Sequence, residues 1–198
     1  MLLYDSPVSA NCYKVRLLFA HLAIAYERRE LSVVDRSNRA EILDALNPAL
    51  RVPTLVLDDG RALGESHAII WYFAEGTGYL PADPFERAKV MQWLCFEQYD
   101  LEPTVAVVRF WVAFSASPPP AAEIESRRAA GYRALDALER ALEGRAFLVA
   151  ERYTIADIAL YGYSHVAHEG GFEMDRYAAI NAWQQRVAAQ QGHIPITA

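Results

Sequence analysis

Ser9-Ala10-Asn11-Cys12 follows a short apolar run (1–4) and opens a segment in which Val15, Leu18, Phe19 and Leu22 fall at i, i+3, i+4 and i+7. That spacing is one face of a helix beginning near Asn11. In redox proteins built on a strand–helix–strand unit, this slot holds C-x-x-C. Here its first position is serine, so no internal disulfide can form and a hydroxyl stands at the helix N-terminus instead. The unbonded N–H groups and the dipole of a helix N-terminus favour negative charge, so a thiolate from an outside thiol would be stabilised there. Taken alone, Ser9 reads first as an ordinary helix cap. Cys12, one turn in, reads as a small buried hydrophobe, although a helix N-terminus can also lower a thiol pKa.

Two further stretches could bind. In Asn47-Pro48-Ala49-Leu50-Arg51-Val52-Pro53-Thr54-Leu55, Pro53 opens a strand, where its missing N–H is tolerated. A cis Val52–Pro53 peptide would present the Val52 backbone to an extended peptide as an added strand; a trans one merely starts the strand. In Gly64-Glu65-Ser66-His67, Ser66 stands at a helix start. Its hydroxyl and the nearby N–H groups could hold a ligand carboxylate, and Glu65 could accept from a ligand ammonium. Alternatively, Ser66 is an N-cap with Glu65 near the dipole. Thr154-Ile155-Ala156-Asp157 has capping-box spacing and is assigned to folding. The histidines, of which only His165 and His168 could share a helix face, form no metal set, and there is no Gly-rich phosphate loop. No metal is expected. The aromatic stripe Trp93, Phe96, Tyr99, Phe110, Trp111 and Phe114 reads mainly as core, with part of it facing a cleft.

The elements that must position these residues follow from periodicity and turn chemistry. Strands are expected at 1–4, 26–31, 54–57 and 61–63, and helices at 11–22, 37–46 and 66–75. Asp58-Asp59-Gly60 makes the hairpin turn. This order predicts a mixed sheet covered by helices. Glycines and prolines cluster through 76–84, a linker signal. Domains are therefore expected at 1–77 and 86–198, joined by 78–85. The second should be all helical: one long segment over 85–114 with a kink or break at Pro103, then 121–142, 155–167 and 178–189.

Apolar residues make up 53% of the 198 and charged residues 22%, enough for a folded core rather than a disordered chain. The net charge of −6 argues against nucleic acid or anionic membrane as partners. The two cysteines, Cys12 and Cys95, build no disulfide framework and fit a reducing, cytoplasmic setting. No secretory leader or membrane span is expected.

In this order and spacing, the motifs resemble those of glutathione transferases across nearly the whole chain. The resemblance runs through residues 3–15, Asn47-Pro48, Arg51-Val52-Pro53, Glu65-Ser66 with Ala68-Ile69, Phe96-Glu97-Gln98-Tyr99 and Thr154-Ile155-Ala156-Asp157. The first stretch looks most like the bacterial theta- and nu-like branches, which use serine or threonine near the first helix. Tyr4 lies too early to be the tyrosine that serves other classes. The resemblance implies a thioredoxin-like βαβαββα domain followed by an all-helical one, with glutathione as co-substrate. It implies that Ser9 donates to the glutathione sulfur, with Asn11 sharing or taking over that role. Val52, held by cis-Pro53, would pair with the cysteinyl backbone. Glu65 and Ser66 would hold the γ-glutamyl end. Arg51 would lie near the glycyl carboxylate, with Asn38, or else Arg36 or Arg39, at that same end.

A hydroxyl hydrogen bond to a charged acceptor supplies roughly 1.5–3 kcal/mol and a helix N-terminus up to ~1–2. At about 1.36 kcal/mol per pKa unit, lowering the thiol pKa by about one to three units needs no metal. The hydrophobic electrophile is expected beside Tyr99. Arg109 either steadies developing negative charge there or is a salt-bridging side chain. A homodimer is implied. Rival readings are a glutathione-dependent disulfide reductase or peroxidase, and a non-catalytic transferase-like binding or assembly protein.

Overall fold

The computed structural model describes residues 1–198. Its first unit comprises Met1–Thr77 together with Gln191–Ala198. Strand β1 (Leu2–Asp5), helix α1 (Ala10–His21), strand β2 (Glu27–Glu30), helix α2 (Arg39–Leu43), strands β3 (Thr54–Val56) and β4 (Ala62–Gly64), and helix α3 (Ser66–Ala74) follow in the expected order. The sheet runs β2-β1-β3-β4, with β1 and β2 parallel and the other pairs antiparallel. Leu3 and Leu55 are fully buried, as are Val15, Leu18 and Phe19 of α1 and Ile69 and Ile70 of α3. Alternation along the strands and the i, i+3, i+4 pattern on the helices therefore meet in one core. All four residues of the edge strand β2, Glu-Arg-Arg-Glu, are exposed, and such charges discourage another strand from adding there.

Helix α2 is much shorter than the 37–46 segment expected. Before it, the Ser32 hydroxyl accepts from the Val34 and Asp35 N–H groups, and Asp35 accepts from the Ser37 N–H. These local side-chain bonds compete with helical ones.

The least predictable feature of this unit is an ion pair under the loop between β1 and α1. Asp5 and Arg16 are both essentially fully buried, at 0% and 1% exposure. Arg16 Nη1 donates to both Asp5 carboxylate oxygens, at 2.8 and 2.7 Å, and to the Ser6 carbonyl at 3.3 Å. Nη2 donates to the carbonyls of Pro7 and Ile196. Arg28 adds a second contact to Asp5 at 2.6 Å. The returning chain is fastened again by the Tyr13 hydroxyl, which donates to the Ile194 carbonyl at 2.7 Å. The last residues thus group with the sheet unit and not with the helices that precede them.

The second unit, Gly78–Gln190, is helical. Helix α4 (Pro84–Phe96) is capped by Asp83, which accepts from the Glu86 N–H at 2.9 Å. Of the kink or break expected at Pro103, the break does not occur. The backbone widens instead into a π-helical run, Glu97–Ala106, and then continues as helix α5 (Val107–Ala113). Proline offers no N–H, and neighbouring carbonyls take other donors: the Thr104 hydroxyl bonds to the Leu101 carbonyl and Arg127 to the Pro103 carbonyl. Helix α6 (Ala121–Leu142) buries Leu135, Leu138 and Leu142, and Gly144 follows it at φ 69°. Helix α7 (Ile155–Ser164) is buried along its whole length. It ends earlier than the 155–167 expected, with a 3-10 turn at Ala167–Gly170. Helix α8 (Ala178–Ala188) buries Trp183. No helix is long and apolar enough to cross a membrane.

Asp157 organises α7. One carboxylate oxygen accepts from the Leu148 N–H and Trp183 Nε1–H, the other from the Thr154 N–H and hydroxyl. Burial pushes its carboxyl up to about 6, against the pull of those four donors. An acid with a folded pKa above its unfolded value contributes stability that is full below the unfolded value, 3.8, and is lost as pH rises through about 6. The stability margin of the native protein over Asp157→Asn should therefore grow as pH falls from about 7 to 5.

Asp157→Ala should cost about 3 kcal/mol or more in denaturant unfolding at neutral pH, since each stranded buried donor costs about 1–3. Arg16→Met should cost about 3–5 kcal/mol by leaving Asp5 under-compensated in the interior. The double variant Asp5→Leu/Arg16→Met should recover much of that loss.

Candidate active site

Thr54 links the three chemically interesting stretches. It pairs with Tyr4 of β1 on one side and Gly64 of β4 on the other. β1 runs out toward Ser9, β3 is entered through Arg51, Val52 and Pro53, and β4 runs out into Glu65 and Ser66. Antiparallel pairing with this register places all three at one end of the sheet. Parallel β2 ends there too, with Asp5 opposite Glu30. The loop carrying Arg36 and Asn38 follows it.

The Val52–Pro53 peptide is cis. The turn around it is held from behind by Asn47, which is buried. The Asn47 Nδ2 donates to the Thr54 hydroxyl oxygen at 2.9 Å and the Arg51 carbonyl at 3.3 Å, and its Oδ1 accepts from the Ala49 N–H at 3.0 Å. The Thr54 hydroxyl in turn donates to the Arg51 carbonyl at 2.7 Å. A Cβ at Gly64 would stand 2.8 Å from Asn47 Nδ2, so glycine is what lets β4 close on this turn. Arg39 is buried, and its guanidinium donates to the carbonyls of Leu50 and Ser32. Leu50 itself sits at φ 54°. Arg51 is exposed beside this turn.

At the neighbouring strand end, Ser9 caps α1 with extended backbone, and its Oγ accepts from the Cys12 N–H at 3.4 Å. Accepting there leaves the hydroxyl proton to be donated elsewhere. Asn11 is partly exposed on the first turn. Its Oδ1 accepts from the Lys14 ammonium at 2.8 Å and from the Ser66 hydroxyl at 3.3 Å. The first and third motifs are thus joined directly, α1 to α3. Lys14 also lies 3.4 Å from His67 Nε2. Glu65 is exposed, precedes α3 and holds φ 65°, ψ 119° with no side-chain cap bond. A non-glycine residue there costs of order 1–3 kcal/mol, the kind of strain that persists at ligand-binding positions.

Other expected residues stand apart. Asn38 is exposed at the start of α2 and makes no capping bond. Arg36 is exposed and donates to the Val33 carbonyl. Tyr4 is buried among Leu31 and Leu43. In the helical unit, Tyr99 is 83% exposed, which leaves its ring available to a ligand. Arg109 is buried, pairs with Glu169 at 2.8 Å and lies over the Phe114 ring. Its charge is thereby engaged within that unit. No group of three or more His, Cys, Asp or Glu side chains could hold a metal ion. The sequence reading passed over Lys14, which lies at an apolar-looking helix position. It also passed over the structural work of Asn47, Thr54 and Gly64, which only the register brings together.

The chain matches the family models for the glutathione S-transferase N-terminal domain over residues 3–78 and C-terminal domain over residues 98–191. It is similar to the crystal structure of a glutathione S-transferase from Pseudomonas fluorescens, with 41% identity, 98% of each chain covered and a TM-score of 0.93. This chain belongs to the glutathione S-transferase family. A second glutathione S-transferase, from Xanthobacter autotrophicus, is 38% identical over 98% of this chain and 96% of its own, with a TM-score of 0.90. Glutathione S-transferase 2 of Anopheles gambiae is 28% identical over 94% of this chain and 89% of its own.

For a glutathione S-transferase the contrast between the two cysteines matters. Cys12 is fully buried, and burial, with Asp5 nearby, pushes its thiol up to about 12 despite help from Ser9. Cys95 is exposed. A thiol reagent at neutral pH should label Cys95 in the native protein and reach Cys12 only after unfolding. Rapid native labelling at Cys12, read by peptide mass, would contradict this account.

Proposed function

We propose that this chain is an active glutathione transferase of the serine/asparagine type. It binds glutathione at the shared sheet end and activates its thiol as a thiolate for attack on an electrophilic small molecule. The observation that carries this reading is the Ser66–Asn11 hydrogen bond, which ties the γ-glutamyl motif to the motif at the start of α1. In this scheme the thiol proton leaves to solvent. The thiolate then accepts from the Ser9 hydroxyl and the Asn11 amide near the helix N-terminus. The sulfur forms its bond to the electrophilic carbon as the leaving group departs. Val52 would pair with the cysteinyl backbone beside cis-Pro53, Glu65 and Ser66 would hold the γ-glutamyl end, and Arg51 with Asn38 would face the glycyl carboxylate. Tyr99 is our candidate for contact with the electrophile. Arg109, engaged with Glu169, supports the helical unit in this reading.

Phe85 and Met91 are large exposed apolar side chains on α4, and a second copy would cover them, consistent with a homodimer. The free cysteines fit a cytoplasmic setting. The high pKa of Cys12 disfavours a reductase that uses that thiol.

Calorimetry with glutathione, together with thiolate absorbance followed against pH, tests this. The bound thiol should titrate about one to three units below free glutathione. In Ser9→Ala about one to two of those units should be lost, with conjugation slowed roughly 10- to 100-fold at neutral pH. If glutathione does not bind, the reading is wrong. If the lowered pKa survives Ser9→Ala, Asn11 or the helix terminus is the activator.

A further inference from the structure

Lys14 is the most unexpected side chain near the candidate site. It sits on α1, one turn past Asn11, and is 0% exposed. A buried ammonium is costly unless well bonded, so its position asks for a reason. Lysine can only donate. The Asn11 atom 2.8 Å from Nζ must therefore be the amide oxygen. The Ser66 hydroxyl approaches the same oxygen at 3.3 Å. Two donors from different elements thus turn the Asn11 carbonyl toward the α1–α3 side. The amide is planar and its oxygen and nitrogen diverge from one carbon, so fixing the oxygen also fixes the nitrogen.

That orientation decides what Asn11 can do for an anion. Nδ2 donates to a thiolate, whereas Oδ1 in the same place would repel it. The positive charge on the oxygen side also polarises the amide and strengthens donation from its nitrogen, by about 10–30% in condensed phase. We propose that Lys14 is a positioning residue, fixing the Asn11 amide so that its nitrogen and not its oxygen faces the glutathione sulfur. This rests on the reading of the site as one that binds glutathione and stabilises its thiolate. Lys14 itself touches neither the sulfur nor the electrophile in this scheme.

The test uses the full chain with Lys14→Met, Lys14→Arg, Asn11→Ala and the double variant Asn11→Ala/Lys14→Met. The main readout is the thiol pKa of bound glutathione. Affinity for S-methylglutathione, which has no thiol to ionise, reports whether the binding site is intact. Lys14→Met should cut the thiolate fraction of bound glutathione about tenfold at a fixed pH below the thiol pKa, one pKa unit. S-methylglutathione affinity should change less than about threefold. Lys14→Arg, which keeps a charged donor, should restore most of the thiolate. The double variant should match Asn11→Ala alone, because the effect passes through Asn11.

Unchanged thiol pKa in Lys14→Met, with a lowered pKa in the native protein, overturns the proposal and leaves the transferase reading standing. Full additivity in the double variant also overturns it, since Lys14 would then act on the sulfur through space. Equal loss of S-methylglutathione binding and thiolate would make Lys14 a folding residue only. If Lys14→Met does not fold, Lys14→Gln replaces it. It removes the charge while keeping an N–H donor, and should raise the thiol pKa by a smaller amount; no rise overturns the proposal. Absence of any lowered thiol pKa in the native protein overturns both readings together.

Discussion

A single buried guanidinium holds together the segments on which the candidate site rests. Arg16 grips the end of β1 through Asp5, the following turn through the Ser6 and Pro7 carbonyls, and the returning chain through the Ile196 carbonyl. Ser9 begins α1 only two residues beyond Pro7, and Arg16 lies on that same helix. The ion pair therefore clamps the loop across its own two ends. A hydrophobic pair of similar volume could match it in stability, but it could not bond three carbonyls from two segments. What the charge adds here is a fixed loop path.

Opposite that clamp, the site depends on register. Thr54 faces Tyr4 and Gly64, and Asn47 reaches behind the cis turn to the Thr54 hydroxyl. A slip of one residue in either pairing would send these side chains to the other face of the sheet. The space Asn47 needs exists because position 64 has no side chain. The strained Glu65 follows immediately. Its unfavourable backbone is over-determined by the β4 pairing before it and the buried Ser66 after it, which is the condition under which such strain persists.

Much of this was legible in the sequence, and for identifiable reasons. Strand and helix order followed from apolar periodicity, and the Thr154–Asp157 spacing announced a cap that the structure contains. The motifs at Ser9, Val52-Pro53 and Glu65-Ser66 are each ordinary as caps or strand starts, and it is their order and spacing together that carried the resemblance. Three features were not legible. The Pro103 segment continues as a π-helix in which Arg127 donates to the Pro103 carbonyl, and no local pattern encodes a donor arriving from α6. Helix α2 covers only Arg39–Leu43, and the side-chain turns of Ser32 and Asp35 that precede it are local contacts that propensity sums overlook. Lys14 and Arg16 are buried although charged, and their partners His67, Asp5 and Ile196 lie in segments that helical periodicity does not bring together.

The two thiols relevant to α1, one its own and one imported, show why the candidate chemistry favours the imported one. A helix N-terminus lowers the cost of a nearby negative charge by up to about 2 kcal/mol in favourable geometries. Cys12 sits within reach of that effect and accepts help from Ser9, yet burial and Asp5 lift its thiol from 9.0 to about 12. Burial therefore outweighs what the helix end and the Ser9 hydroxyl supply to that thiol. A ligand sulfur reaching Ser9 from the partly exposed side would meet the same helix end and the same hydroxyl without full desolvation. The burial penalty therefore makes Cys12 a poor nucleophile, although it stands only one helical turn from the Ser9 hydroxyl that caps the helix.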